Sequence, residues 1–230
     1  MTRCHSESDS GLGDSWVPQR PLEVNIRTPR LLIRCFSLDD VEQMFEIIKR
    51  DRDTLSPWVP WARRDHQAVH QTYAFVAGQI ELAREPVAAR GLALGVFDAE
   101  TGSLAGGVGF HDGRSDTASC EVGYWMGAHR RGEGLTTEAT AHLLSWIFTP
   151  QAADGLGIKR VRVYCSAENT ASKRVVEKLG LPLEVHQRRD YFVEGHGPTD
   201  RLGWGVMAEE WDFTHHRVRD GITRGLHQPT

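Results

Sequence analysis

Between residues 22 and 214 the apolar positions recur with two periods that trade places along the chain. Val24 and Ile26, then Leu31, Ile33 and Cys35, alternate with polar neighbours around Thr28-Pro29, which predicts two short strand pieces with a bend at the proline. Ser37 then opens a helix, with Asp40 placed as in a capping box and Leu38, Val41, Phe45 and Ile48 as the buried stripe. Pro57 and Pro60 end it, with Trp58 and Trp61 close by. Residues 67–85 read as a second helix with Val69, Tyr73, Val76 and Ile80 on one side. Residues 91–97 and 104–110 read as a hairpin, and 118–126 as a further strand.

After that strand comes MGAHRRGEGLTTEA, followed by Leu135, Ala139, Leu143 and Ile147 at helical spacing. Gly155 and Gly157 break the chain, and residues 158–166 alternate as a strand. In AENTASKRVVEKLGL, Asn169 or Thr170 caps a helix that stops at Gly180, where a left-handed glycine normally ends one. Residues 185–193 and 201–206 pair around EGHGPTD as a last hairpin. Residues 1–21 and 215–230 are polar and aperiodic and read as flexible tails around one domain, 22–214.

Composition narrows the classes. The 230 residues suit one domain, and a net charge of −4 speaks against general nucleic-acid binding. No apolar run reaches the ~18 residues of a membrane span. The polar N-terminus carries no secretory h-region. Cys4, Cys35, Cys120 and Cys165 are scattered without metal spacing, and the last three read as buried free thiols. A cytoplasmic protein without a metal, a membrane or a nucleic-acid partner is the expectation.

The glycine run carries the chemistry. A helix start offers unpaired N–H groups and the positive end of the helix dipole, and glycines let a phosphate approach them. A P-loop would need G-x-x-x-x-G-K-[ST], and a dinucleotide fingerprint a third glycine at residue 137, which is Thr137. What stands here is R-G-x-G-L-x-T-E-A, and with N-x-x-S-x-x-V-x-x-K-L-G at residues 169–180 it resembles the Gcn5-related N-acetyltransferases, the GNAT family. TPRLLIR and W-x-P-W resemble more narrowly the RimJ/RimL type that modifies ribosomal-protein N-termini. The chain departs from the family pattern at His129, where Gln or Arg is usual.

The resemblance implies an α/β (α+β) GNAT fold: a twisted, mostly antiparallel mixed sheet flanked by helices and splayed at the acetyl-CoA site. It implies acetyl-CoA as donor, held by Trp125, Met126, Gly127, Arg130, Arg131, Gly132, Glu133, Gly134, Leu135, Thr136, Asn169 and Ser172. Glu121 is the candidate base, sharing a strand face with Gly123 and Trp125; a structural ion pair with Arg162 is the alternative. Ser172 is the candidate partner of the leaving thiolate, or else ordinary helix-start chemistry with Asn169. His111 and Tyr191 are weaker candidates, and a backbone N–H within 125–127 would hold the oxyanion.

The acceptor is expected to be a protein or peptide N-terminal α-amine. Trp58, Trp61 and Tyr73 would form its wall, and Asp51, Asp53, Glu194 and Asp200 would supply acidic groups. A small-molecule amine (antibiotic, polyamine or amino acid) is the alternative acceptor, and a CoA-binding module without catalysis the alternative class. Oligomeric state is left open, a homodimer being one option.

Overall fold

The computed structural model describes residues 16–18, 21–85 and 91–214. Eight strands form one sheet in the order β1-β2-β3-β4-β5-β6-β8-β7. These are β1 Asn25–Arg27, β2 Leu31–Cys35, β3 Leu92–Asp98, β4 Leu104–Arg114, β5 Ser119–Met126, β6 Arg160–Ser166, β7 Leu183–Val193 and β8 Gly197–Met207. Every neighbouring pair is antiparallel except β5 and β6. The expected mixed α/β architecture is therefore present.

Helices cover both faces. α1 (Val41–Leu55), the short α2 (Trp61–Arg64) and α3 (Val69–Arg84) lie on one side, and α4 (Leu135–Phe148) and α5 (Thr170–Lys178) on the other. Phe36, Val41, Met44, Ile47, Ile48 and Val76 close over Phe97 and Leu104, whereas Cys120, Val122, Val161 and Val163 pack with Leu135, Leu143 and Ile147 of α4. Burying such side chains supplies about 1.5–3 kcal/mol each.

Several elements differ from the pattern reading. Leu38 (46% exposed) lies outside the α1 stripe, which keeps the expected Val41 and Ile48 and adds Met44, Ile47 and Leu55; Phe45 is only half-buried. The start of the first helix is a 3-10 turn over Leu38–Asp40, which rotates Leu38 outward. Its capping box is present, and Arg34 grips Asp40 through both nitrogens at 2.8 Å. On α3, Val69 and Tyr73 point to solvent at 39% and 51% exposure. The α2 turn escaped a period-based reading because one turn is too short to show a period.

The N-terminal tail expectation meets three contacts: Trp16 Nε1 donates to the Leu156 carbonyl at 2.8 Å, the Trp16 N–H to the Ser115 carbonyl at 2.9 Å, and Gln151 Nε2 to the Val17 carbonyl at 3.0 Å. Residues 1–15, 19–20 and 215–230 lie outside the described residues, as does Cys4. Cys120 and Cys165 are buried free thiols; Cys35 is only half-buried. No helix among the described residues is long and apolar enough to cross a membrane.

Candidate active site

The only parallel pair in the sheet is also the shortest inner ladder. β5 and β6 pair at Ser119–Arg160, Cys120–Val161 and Glu121–Arg162, and then part. β6 continues on β8 through Ser166, and β5 continues on β4 to Met126. The sheet thus opens from Glu121 onward, and a cavity of about 760 Å³ passes through the opening. Glu121, Gly123, Trp125 and Tyr164 line it with Trp58, Trp61 and Tyr191 on the α1 side, and Tyr124, Asn169 and Ser172 on the α5 side.

Ladder parity says which backbone groups face the opening. The Ala118 carbonyl accepts from Lys159 and Arg160 beside β6, and the Gly127 N–H donates to Ala105 on the β4 side. Because peptide groups alternate sides along a strand, Tyr124 and Met126 turn their N–H groups toward the gap. Trp125 and Gly127 turn theirs away. Within the expected 125–127 window, Met126 alone retains an N–H on the open side. Its carbonyl is taken by Arg131 Nε at 3.0 Å.

The glycine loop follows directly. Gly132 and Gly134 have φ of +83° and +79°, a left-handed backbone that L side chains adopt at a cost. Gly134 is the N-cap of α4, and the first helical bond runs from Glu138 N–H to its carbonyl. The N–H groups of Leu135, Thr136 and Thr137 therefore precede that bond, and the space over Gly132 is open. The loop thus has the shape and polarity of an anion cradle.

Surrounding side chains fix the cradle. Arg30 bonds Glu138 at 2.6 Å and the Glu133 carbonyl at 2.9 Å, while Thr28 donates to Glu138. This is the physical content of TPR in the β1–β2 turn: it clamps the first turn of α4. Arg130 bridges Asp98 at 2.8 Å and Glu133 at 3.3 Å, so it braces the loop. Arg50 Nη2 donates to His129 Nδ1 at 2.9 Å. Asp51 accepts the Ala128 N–H at 2.7 Å from inside α1.

Glu121 has a side chain 17% exposed, and burial raises its carboxyl above the usual range. His111 Nε2 stands 3.7 Å from Glu121 Oε1, directly across the β4–β5 ladder, and its charge opposes that rise. No ion pair joins Glu121 to Arg162, although Arg162 is its register partner. A carboxyl with a raised pKa in a cleft is suited to proton transfer near neutral pH. His111, Asp112 and Glu121 each bring one ligand atom within 4.8 Å of the others, the one such group among the described residues. The neighbouring Arg162 and Arg201 oppose a divalent cation there.

Ser172 Oγ lies 3.0 Å from the Tyr124 hydroxyl, and both line the cavity. Burial raises the Tyr124 pKa, which keeps the phenol protonated and able to donate. Tyr124 is a site residue that pattern reading missed, since its face of β5 reads as core. Asn169 caps α5, its Oδ1 accepting the Ser172 N–H at 3.0 Å, and still lines the cavity.

The acceptor side is partly as expected. Trp61 packs edge-on against Trp125 at 5.9 Å and His66 at 5.6 Å, and Trp58 stands beside it in the lining. Arg52 holds this segment by donating to the carbonyls of Ala62 and His66, both at 2.7 Å. Tyr191 donates to the Trp58 carbonyl at 3.2 Å and so ties the last hairpin to the tryptophans. Tyr73 is not brought to the cavity: it sits on the solvent face of α3. The four acidic groups are also engaged elsewhere or placed elsewhere. Asp51 is buried under the glycine loop, Asp53 lies on α1, Glu194 pairs with Arg63 at 2.6 Å, and Asp200 pairs with His186 at 2.6 Å.

Comparison with known proteins agrees with this geometry. Over 182 residues the chain is 24% identical to the putative ribosomal N-acetyltransferase YdaF of Bacillus subtilis (strain 168), covering 79% of this chain and 93% of that one. Its fold superposes on Mycobacterium smegmatis RimJ in complex with CoA-disulfide with a TM-score of 0.67 at 25% identity, covering 86% and 87% of the two chains. RimL, the ribosomal L7/L12 alpha-N-protein acetyltransferase, in complex with coenzyme A gives 0.70 at 18% identity, covering 80% and 98%. The acetyltransferase (GNAT) domain family matches residues 30–182, and the chain belongs to that family of acetyltransferases.

Proposed function

We propose that this enzyme transfers the acetyl group of acetyl-CoA to the α-amine at the N-terminus of a protein or peptide. The observation that carries the reading is the parting of β5 and β6 immediately after Glu121. It sets a carboxyl with a raised pKa on one wall and the Ser172–Tyr124 pair on the other, with the glycine loop at the end of β5. The donor lies in the opening with its pyrophosphate on the amides of residues 132–136, and Asn169 reaches the pantetheine arm. Two of the structural neighbours hold coenzyme A or its disulfide, which supports the same use here.

The reaction has three needs. Glu121, acting through water, takes the proton from the acceptor ammonium, and the freed amine attacks the thioester carbonyl. The Met126 N–H, facing the gap, receives the oxyanion. As the C–S bond breaks, Ser172 donates to the thiolate sulfur, with Tyr124 donating in turn to Ser172 Oγ. An α-amine, with a pKa near ~8, is the easier substrate for a single carboxylate than a lysine near ~10.4.

Trp58, Trp61 and Tyr191 offer flat, partly polar surfaces to a short extended peptide. The relatives of ribosomal-protein type point the same way. The test is kcat/KM for short peptides with free and blocked N-termini, against polyamines and aminoglycosides. Free N-termini should react at least tenfold better than blocked peptides carrying lysine. Reaction of small amines alone would assign the site to a small-molecule acceptor.

A further inference from the structure

A second cavity of about 400 Å³ adjoins the first and shares Asp112, Glu121 and Tyr164 with it. Its remaining charges are Arg114, Arg162 and Arg201. Resting on the acetyl-transfer reading above, we infer that the acceptor carries an anionic group, a carboxylate or a phosphate, a few bonds from its amine, and that Arg162 and Arg201 bind it in this second cavity.

The sheet places these groups deliberately. Arg162 stands beside Glu121 on the neighbouring strand, and strands are about 4.8 Å apart. Tyr164 follows two residues on, on the same face of β6. Its ring lies over Gly203, its register partner on β8, where a Cβ would collide with it. Arg201 stacks its guanidinium on that ring at 4.2 Å. On the opposite rim a bulge between His111 and Arg114, with Asp112 at φ +49°, bends β4 away and opens the mouth.

The arginines are under-used by the protein. Among the described residues the Arg162 side chain takes no hydrogen bond or ion pair, although it feels the Glu121 charge. Arg201 reaches only Asp190, at 3.8 Å, besides the Tyr164 ring. The Nε atoms of both are buried without a hydrogen-bond partner. Arg114 is engaged by Asp116 at 3.1 Å and stands at the rim. A buried guanidinium N–H without an acceptor is costly, and a planar carboxylate or a phosphate supplies acceptors in the matching geometry.

The donor's phosphates do not fill this role. The glycine loop begins beyond Met126, five residues along β5 from Glu121, or about 16 Å. An anion on the acceptor, by contrast, falls within reach whenever its amine is at Glu121. The same pair of charges would reject a polycationic acceptor.

The test compares peptides with free N-termini that differ only by Glu against Gln at the first, second or third residue. A parallel arm compares glycine with glycinamide, so that a small amino acid and a peptide are told apart. Wild-type enzyme should favour at least one acid over its amide by tenfold or more in kcat/KM. Arg162→Gln should reduce that preference to within twofold, Arg201→Gln should weaken it, and the KM for acetyl-CoA should stay unchanged in both. Equal rates for every acid and amide, or a preference that survives both substitutions, would overturn the inference while leaving N-terminal acetylation standing. An Arg162-dependent preference confined to glycine would instead remove the peptide reading and keep the anion site. If neither arm turns over, calorimetric titration of the acetyl-CoA complex with glutarate decides: binding lost in Arg162→Gln supports the site, and no binding by wild type overturns it.

Discussion

Asp51, deep in α1, accepts the backbone N–H of Ala128 at 2.7 Å, so the first helix holds the entrance of the glycine loop from beneath. The side chain is only 4% exposed, and Arg50 covers it from outside with two contacts of 2.8 and 3.0 Å. The loop proposed to hold the donor is therefore tied to a residue far from it in sequence.

Asp51→Ala should raise the KM for acetyl-CoA about tenfold and destabilise the protein by about 2 kcal/mol at neutral pH. Arg50, followed by the Ala128 N–H, holds the Asp51 carboxyl below its ordinary 3.8. A lowered carboxylate contributes stability that is complete above its unfolded value and is lost as the pH falls below it. The deficit of the variant against wild type should therefore shrink below about pH 4. Urea unfolding at several pH values and donor kinetics check both parts.

Gly134→Ala meets open space, with Arg30 Nη2 at 3.8 Å as the nearest atom, but must hold φ at +79°. It should cost about 1 kcal/mol of stability and little donor affinity. Gly134→Asp adds a carboxylate at the proposed pyrophosphate site, and the Kd for CoA should rise tenfold or more. Calorimetry on both variants separates strain from charge; equal affinities would remove the phosphate from this loop.

Glu121→Gln should lower kcat by about 100-fold at neutral pH, with the loss shrinking at high pH where the amine deprotonates unaided. In wild type the acid limb of kcat/KM should lie above the ordinary glutamate value of 4.5, because burial raises this carboxyl. The stability sign is the reverse of that for Asp51. With its folded pKa raised, native Glu121 binds its proton more tightly, so its penalty is present at neutral pH and is relieved as the pH falls through the raised value. Glu121→Gln should accordingly unfold at a temperature equal to or above that of wild type. A less stable, fully active variant would make Glu121 structural.

Ser172→Ala should slow turnover about tenfold with CoA binding nearly intact, because charge develops on sulfur only in the transition state. Tyr124→Phe, which keeps the ring but removes the hydroxyl 3.0 Å away, should lose a similar factor. The double variant should be little worse than either single one, since the two hydroxyls act in series. Single-turnover rates with saturating donor measure this; additive losses would show independent roles.

Hydrophobic periodicity, together with cap, proline and glycine signals, located every strand of the sheet and four of the five α-helices among the described residues, since alternation and helical recurrence report burial on one face. The glycine run and the Asn169–Ser172 pair were legible because backbone conformation forces their chemistry locally: φ above +70° at Gly132 and Gly134 restricts the residue type. Strand parity correctly put Glu121, Gly123 and Trp125 on one face. Helical periodicity misplaced Tyr73, since a wide apolar stripe does not say which of its edges meets the sheet. The acidic groups read as acceptor contacts proved to be committed to partners that the sequence does not bring near, Asp51 to Ala128 and Asp200 to His186.

What belongs to tertiary structure alone is the meeting of distant strands. Tyr124 reads as core until α5 sets Ser172 beside its hydroxyl, and Arg162 reads only as the alternative ion-pair partner of Glu121 until β8 brings Arg201 and Gly203 across from Tyr164. The parting of β5 from β6 after three residue pairs has no local signature either, because it depends on β6 finding β8 as its partner over seven residues while β5 remains on β4. The sequence determines the faces and the loops; long-range pairing decides which faces meet, and with them the chemistry of the cleft.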